Sequence, residues 1–164
     1  MSSHAQLLEE FETLSRSSGA TPLMQRISDR LHEELARYNW VGFYLIEPPH
    51  FHALVVGPYA GSFQPTPRIT LDEGLCGAAA STGKTVIVND VHADPRYLGS
   101  DLVKSNIVVP ILVKRQVVAE LCIESYFANT FDRIEQGFIE SCAALVGRSM
   151  EKELASASEA RASH

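Results

Sequence analysis

Three cysteines, one tryptophan and one strand carboxylate frame the chemistry open to this chain. Cys76, Cys122 and Cys142 are the only thiols among 164 residues. Their odd number and wide spacing fit neither a disulfide framework nor a Cys-x-x-Cys metal knuckle. Cys142 falls on an apolar helical stripe and reads as core. Cys76 sits in Gly74-Leu75-Cys76-Gly77, near the start of a small helix, and a helix start favours the thiolate form of cysteine. A single thiolate can be oxidised to a sulfenic acid but needs a second thiol to go further. Cys122, on an apolar strand, reads either as that second thiol or as a small apolar filler. Glu124, between Ile123 and Ser125, reads as a ligand-binding acid or as a strand-end surface carboxylate. Trp40 and Tyr44 lie four residues apart on one strand and so share a face. They form either core or a pocket wall suited to a methyl-bearing or cationic group.

Other motifs carry less. Asp90, His92 and Asp94 alternate, but in a loop where structural hydrogen bonds are the simpler reading than a metal site. Arg68 and Lys104 offer charge to a ligand carboxylate, with solvated surface the plainer alternative. The Gly74–Gly77 turn lacks the Gly-Lys-Ser/Thr signature of a phosphate loop. No metal and no cofactor is expected.

These residues need elements to hold them. Residues 4–16 read as an amphipathic helix with Leu7, Leu8, Phe11 and Leu14 on one side. Thr21 reads as the cap of a second helix with Pro22 at its first position, ending at Tyr38-Asn39. Leu23, Ile27, Leu31 and Leu35 mark its buried face. Trp40 to Ile46 and Phe51 to Gly57 read as an antiparallel hairpin turned at Pro48-Pro49-His50. Gly57-Pro58 opens an irregular connection, and Arg68 to Thr70 follows as a short edge strand. Gly74 to Thr82 is a small helix stopped by Gly83, and Thr85 to Val88 a brief strand. Asn89 to Asn106 is a long polar loop with a helical turn near Asp101, of the kind that is functional or mobile. Ile107 to Val113 and Gln116 to Glu124 make a second hairpin, joined at Lys114-Arg115. Asp132 and Glu135 have capping-box spacing. The helix they open carries Phe131, Ile134, Phe138, Cys142, Leu145 and Met150 and is expected to run to about Leu154.

Bulk properties bound the function classes. The length suits one domain. A formal net charge of −6, from 14 basic and 20 acidic residues, argues against a nucleic-acid partner. No apolar run is long enough to span a membrane. The first residues lack the basic and apolar regions of a signal peptide, so a cytoplasmic location is expected.

The order of elements resembles a GAF domain, and more narrowly the stand-alone GAF domains of the free methionine-(R)-sulfoxide reductases. The resemblance spans about residues 20 to 150. It rests on Trp40 to Leu45, Val55 to Tyr59, Arg68-Ile69, Gly74 to Gly83, Val88 to Pro95, Ser105 to Ile111 and Phe131 to Glu135. It implies an α+β fold with a central antiparallel sheet of about five or six strands. The N- and C-terminal helices would lie on one face, and a ligand pocket under loops on the other. Residues 1–154 would form a single GAF domain, followed by a disordered tail at 155–164.

Reductases of that family gather three cysteines at the pocket. One thiolate attacks the sulfoxide sulfur and becomes a sulfenic acid. A second thiol condenses with it, and an external reductant such as thioredoxin opens the disulfide. This chain keeps one of the three as Cys76. The other two positions fall in Gln64-Pro65-Thr66-Pro67 and Leu98-Gly99-Ser100-Asp101, which hold no sulfur. The family places acids where Asn106, Cys122 and Glu124 stand, and only Glu124 remains acidic. The resemblance therefore implies a small-molecule pocket lined by Trp40, Tyr44, Cys76, Asn106, Cys122 and Glu124, with the sulfoxide chemistry lost. The alternative is a working reductase that uses Cys76, alone or with Cys122, and thioredoxin. A homodimer is expected in either case.

Overall fold

The computed structural model describes residues 2–47 and 52–162. Helix α1 (His4–Ser15) opens on a capping box. The Gln6 amide donates to Ser3 Oγ at 3.1 Å, and the Ser3 amide donates to Gln6 Oε1 at 2.8 Å. Helix α2 (Ala20–Glu34) and strands β1 (Trp40–Ile46), β2 (Ala53–Gly61) and β3 (Arg68–Thr70) follow. Helix α3 (Gly74–Thr82) ends at Gly83, whose φ of 68° is the left-handed stop that glycine adopts freely. Strand β4 (Val86–Val88), a single helical turn at Val91–Ala93, β5 (Ser105–Val113), β6 (Gln116–Ser125) and α4 (Arg133–Ala162) complete the order.

The strands form one six-stranded sheet, β3-β2-β1-β6-β5-β4, with antiparallel neighbours throughout. Its period of two sorts side chains onto two faces. Val41, Phe43, Ile107, Val109, Ile111, Leu121 and Ile123 point to one side, where α1, α2 and α4 cover them. Trp40, Tyr44, Val108 and Cys122 point to the other, where α3 brings Leu75, Cys76 and Ala79 against them. The β5–β6 turn at Lys114-Arg115 is left-handed at both residues, φ 51° and 67°, which matches the twist of a two-residue hairpin.

Several boundaries differ from the sequence expectation. Helix α2 begins at Ala20 with Gly19 as its cap, and Thr21 makes no capping bond. The Ala20 amide instead donates to Glu153 Oε1 on α4 at 2.7 Å. The helix stops at Glu34, short of Tyr38-Asn39. Strand β2 continues through Pro58 to Gly61. Pairing jumps from Tyr44↔Val56 to Gly42↔Tyr59, so Gly57 and Pro58 form a bulge, where proline costs no ladder bond. The helical turn of the long loop sits at Val91–Ala93, not near Asp101. Ile134 is 74% exposed: its spacing puts it on the stripe of Phe138, Cys142 and Leu145, but it stands in the first turn of α4. Helix α4 runs to Ala162, so residues 155–162 are helical and exposed instead of an irregular tail. Their alanines, glutamate and arginine are strong helix formers. The turn expected at Pro48-Pro49-His50 and the strand start at Phe51 lie outside the described residues.

Asp132 caps α4 as its spacing predicts, accepting from the Glu135 amide at 2.9 Å. The Glu135 carboxylate does not return the bond. It accepts from Tyr38 Oη and lies against His4 Nε2, each at 2.7 Å, and so ties α1 and the β1 entry to α4.

Candidate functional site

Three adjacent strands lay out a grid of residues, of which Trp40, Tyr44, Asn106, Cys122 and Glu124 form the floor of a cavity. In the first row Trp40, Glu124 and Asn106 stand side by side on β1, β6 and β5. In the second row stand Gly42, Cys122 and Val108, and in the third Tyr44, Glu120 and Pro110. Rows are two residues apart, so all nine residues fall on the face away from the long helices. Helix α3 and the loops at 63–68 and 97–100 close over this floor and leave a cavity of about 400 Å³.

The six residues singled out by sequence, Trp40, Tyr44, Cys76, Asn106, Cys122 and Glu124, all line that one cavity. Trp40 forms a wall. Its ring stacks between Tyr59 and Phe63 at centroid distances of 5.7 and 6.0 Å and tilts against Tyr44 at 6.1 Å. The buried indole Nε1 has no hydrogen-bond partner. Tyr44 Oη donates to the Thr66 carbonyl at 3.1 Å and anchors the overlying loop. Cys122 Sγ lies 3.6 Å from Asn106 Oδ1. A larger open groove runs between α4 and β5, lined by Ala143, Ala144 and Gly147, but it contains no thiol and no aromatic ring.

Burial sets the electrostatics. The Glu124 carboxyl is pushed up to about 7 by desolvation, with the Tyr97 hydroxyl pulling the other way. The Cys122 thiol lies well above its ordinary range, first through hydrogen bonding to the Cys76 thiol and then through burial. Burial also raises Tyr44 and Tyr97, so both hydroxyls keep their protons and act as donors. Cys142 is buried on the opposite side of the sheet, among the residues that α4 covers, and takes no part in the cavity.

The candidate charges divide. Arg68 lines the cavity but pairs with Glu47 at 2.6 Å. Asp94 is held by a forked pair of bonds from Arg96, so the Asp90–Asp94 loop is cross-braced internally. Lys104 is exposed. Among the described residues no three His, Cys, Asp or Glu side chains converge as metal ligands.

Sequence reasoning missed Glu120, Phe63 and Tyr97. Glu120 is fully buried, and neither carboxyl oxygen has a protein partner of ordinary hydrogen-bond geometry. Desolvation first, and then the Cys76 thiol, push it up to about 10, so it is a neutral acid at physiological pH. Its signal was present: counting back by two from Glu124 and Cys122 places it on the same face. Phe63 and Tyr97 sit in irregular loops, where no period announces a direction.

A family model for the GAF domain matches residues 20–150. The free methionine-R-sulfoxide reductase of Escherichia coli is 33% identical over 147 residues, covering 87% of this chain and 86% of the relative. Protein YtsP of Bacillus subtilis is 35% identical over 126 residues, covering 76% and 74%. Among solved structures, the free methionine-R-sulfoxide reductase of Neisseria meningitidis, in complex with its substrate, superposes with a TM-score of 0.84. It is 27% identical, with 90% of this chain and 88% of that chain covered.

Proposed function

This chain belongs to the GAF domain family, and we propose that it is a small-molecule-binding module whose ligand lies between Trp40 and Glu124. The observation that carries the reading is the convergence of Trp40, Tyr44, Cys76, Asn106, Cys122 and Glu124 on one cavity. A flat or methyl-bearing group fits against the Trp40 and Phe63 rings. Asn106 and Glu124 supply polar contacts at the far end.

The reading includes loss of the three-cysteine reductase cycle. The segments 64–67 and 98–101, where the resemblance expects thiols, border the cavity without sulfur. A Cβ at Gly99 would lie only 2.2 Å from Tyr97 Oη, so the tyrosine ring fills the space a side chain there would need. With Asn106 and Cys122 in place of acids, a desolvated ammonium would find only Glu124 as counter-charge. The expected ligand is therefore less charged than a free amino acid.

The test is a metabolite screen on reduced protein, read by Trp40 fluorescence and melting temperature. Neutral compounds should stabilise the protein more than free methionine sulfoxide, and Asn106→Glu with Cys122→Asp should reverse that order. Strong stabilisation by methionine sulfoxide alone would remove the changed-specificity reading.

A second reading, a free methionine-(R)-sulfoxide reductase working through Cys76, draws support from the Cys122 thiol beside Cys76. Thioredoxin-coupled NADPH oxidation with free methionine sulfoxide decides it: turnover that vanishes in Cys76→Ser would establish the enzyme. A homodimer through the terminal helices goes with either reading. The exposed Ile134 and Leu154 of α4 support it, and light scattering tests it.

A further inference from the structure

Under the aromatic wall, three groups meet for which ligand binding gives no reason. Cys122 and Glu120 are alternate residues of β6 and share its cavity face. Cys76 comes down onto that face from the first turn of α3, which packs against β6. Both thiols are reduced, and they are 8% and 4% exposed at the cavity wall. Glu120 is wholly enclosed, its two oxygens without a hydrogen-bond partner, and burial first, then the neighbouring Cys76 sulfur, keeps it protonated.

A carboxyl in that position is costly. It gives up its hydration and recovers no full hydrogen bond, where valine or leucine would pack without penalty. It cannot hold a charge there unaided. What it can do is hold one proton against sulfur. A helix start favours negative charge on a sulfur in its first turn, where Cys76 stands, and a neutral Glu120 adds no opposing charge beside it.

We propose that Cys76 and Cys122 are a redox pair, served by Glu120, which reduces a small hydroperoxide entering the cavity and closes to a disulfide between α3 and β6. The Cys76 thiolate attacks the near peroxide oxygen and the O–O bond breaks. The departing oxygen takes the Glu120 proton and leaves as water or an alcohol, and Cys76 is left as a sulfenic acid. The Glu120 carboxylate then accepts the Cys122 proton. The Cys122 thiolate attacks the Cys76 sulfur and the S–O bond breaks. The hydroxide recovers the proton from Glu120 and leaves as water. Two thiols have lost two electrons to the peroxide, and every proton is placed. An external dithiol restores the pair by two thiol–disulfide exchanges. Glu120 gives its proton to the departing oxygens and takes one from Cys122, so in this cycle it is the catalytic acid and base. The chemistry needs the cavity as an entrance but not the ligand proposed above.

The experiment treats reduced, full-length protein with one equivalent of hydrogen peroxide and maps peptides without reduction. The expected product is a Cys76–Cys122 linked peptide within one chain, with Cys142 still free after unfolding. Cys122→Ser should stop at the Cys76 sulfenic acid, trapped by dimedone, and Cys76→Ser should leave Cys122 reduced. Glu120→Gln should slow Cys76 oxidation by roughly 100-fold, the lower range of general acid–base effects, and move the pH profile of Cys76 alkylation without lowering the melting temperature. Cys76 passing to sulfinic acid with no link would overturn the proposal. So would a bond to Cys142 or between chains, or an unchanged rate in Glu120→Gln. None of these outcomes alters a ligand-induced shift measured in reducing buffer, so the two readings fail separately.

Discussion

The indole of Trp40 lies flat across Gly42, two residues along the same strand. A Cβ at Gly42 would come within 2.4 Å of Trp40 Cη2, and one at Gly61 within 2.4 Å of Trp40 Cδ1. Two glycines thus make the slot that sets the cavity wall. Gly42→Ala should push the ring off its site, shift its fluorescence, and destabilise the fold by about 1–3 kcal/mol, the usual cost of overpacking. Gly137→Ala is the control. Nothing lies near that position of α4, so the substitution should stabilise by about 0.5–1 kcal/mol. Equal effects from the two substitutions would show that the slot does not matter.

Buried carboxyls make stability fall as pH rises. Glu124 and Glu120 titrate at about 7 and about 10 in the folded chain, against 4.5 ordinarily. Above about pH 4.5 the unfolded chain has released protons that the folded chain still holds. The folded state therefore loses ground with rising pH, at roughly 1.4 kcal/mol per pH unit for each such proton. The Glu124 part is complete near pH 7, while the Glu120 part continues beyond it. Glu34 and Asp94, held low by hydrogen bonds from Ser2 and Arg30 and from Arg96, act in the opposite sense and only in acid. Denaturant melts at pH 5, 6.5 and 8 should show wild type declining and Glu120→Gln declining less. A wild-type curve that climbs over this window would contradict the buried-acid assignment.

Glu153 closes a helix to which it does not belong. Its Oε1 accepts from the Ala20 amide across 133 residues of sequence. Glu153→Ala should cost about 1 kcal/mol, as loss of a cap does. Residues 155–162 are exposed, and truncation after Leu154 should change stability by less than about 0.5 kcal/mol. Thermal melts of the two variants separate the cap from the helix tail.

Tyr38 is 2% exposed and donates to Glu135 at 2.7 Å. Tyr38→Phe keeps the ring and removes the hydroxyl, leaving the carboxylate short of one donor. The expected loss is about 2 kcal/mol, in the range for hydrogen bonds to charged groups, measured by chemical denaturation. A neutral result would mean that water replaces the hydroxyl.

The residues themselves reveal much of this architecture. Trp40 to Ile46, Arg68 to Thr70 and Gly74 to Thr82 appear at the bounds their composition predicts, because strand alternation and a glycine stop are local properties. Alternation also fixed the shared face of Trp40 and Tyr44, and of Cys122 and Glu124. The two-faced sheet follows from that same period. What the chain alone could not declare is which faces meet. Gly19 replaced Thr21 as the cap of α2 because Glu153, distant in sequence, met the Ala20 amide. Pro58 stayed in β2 because a bulge against Phe43 absorbed it. Cys76 reached Glu120 and Cys122 only when α3 settled on β6. Side-chain direction is set within a few residues by backbone geometry, whereas the pairing of a thiol with a carboxyl 44 positions away is set by how the whole core packs.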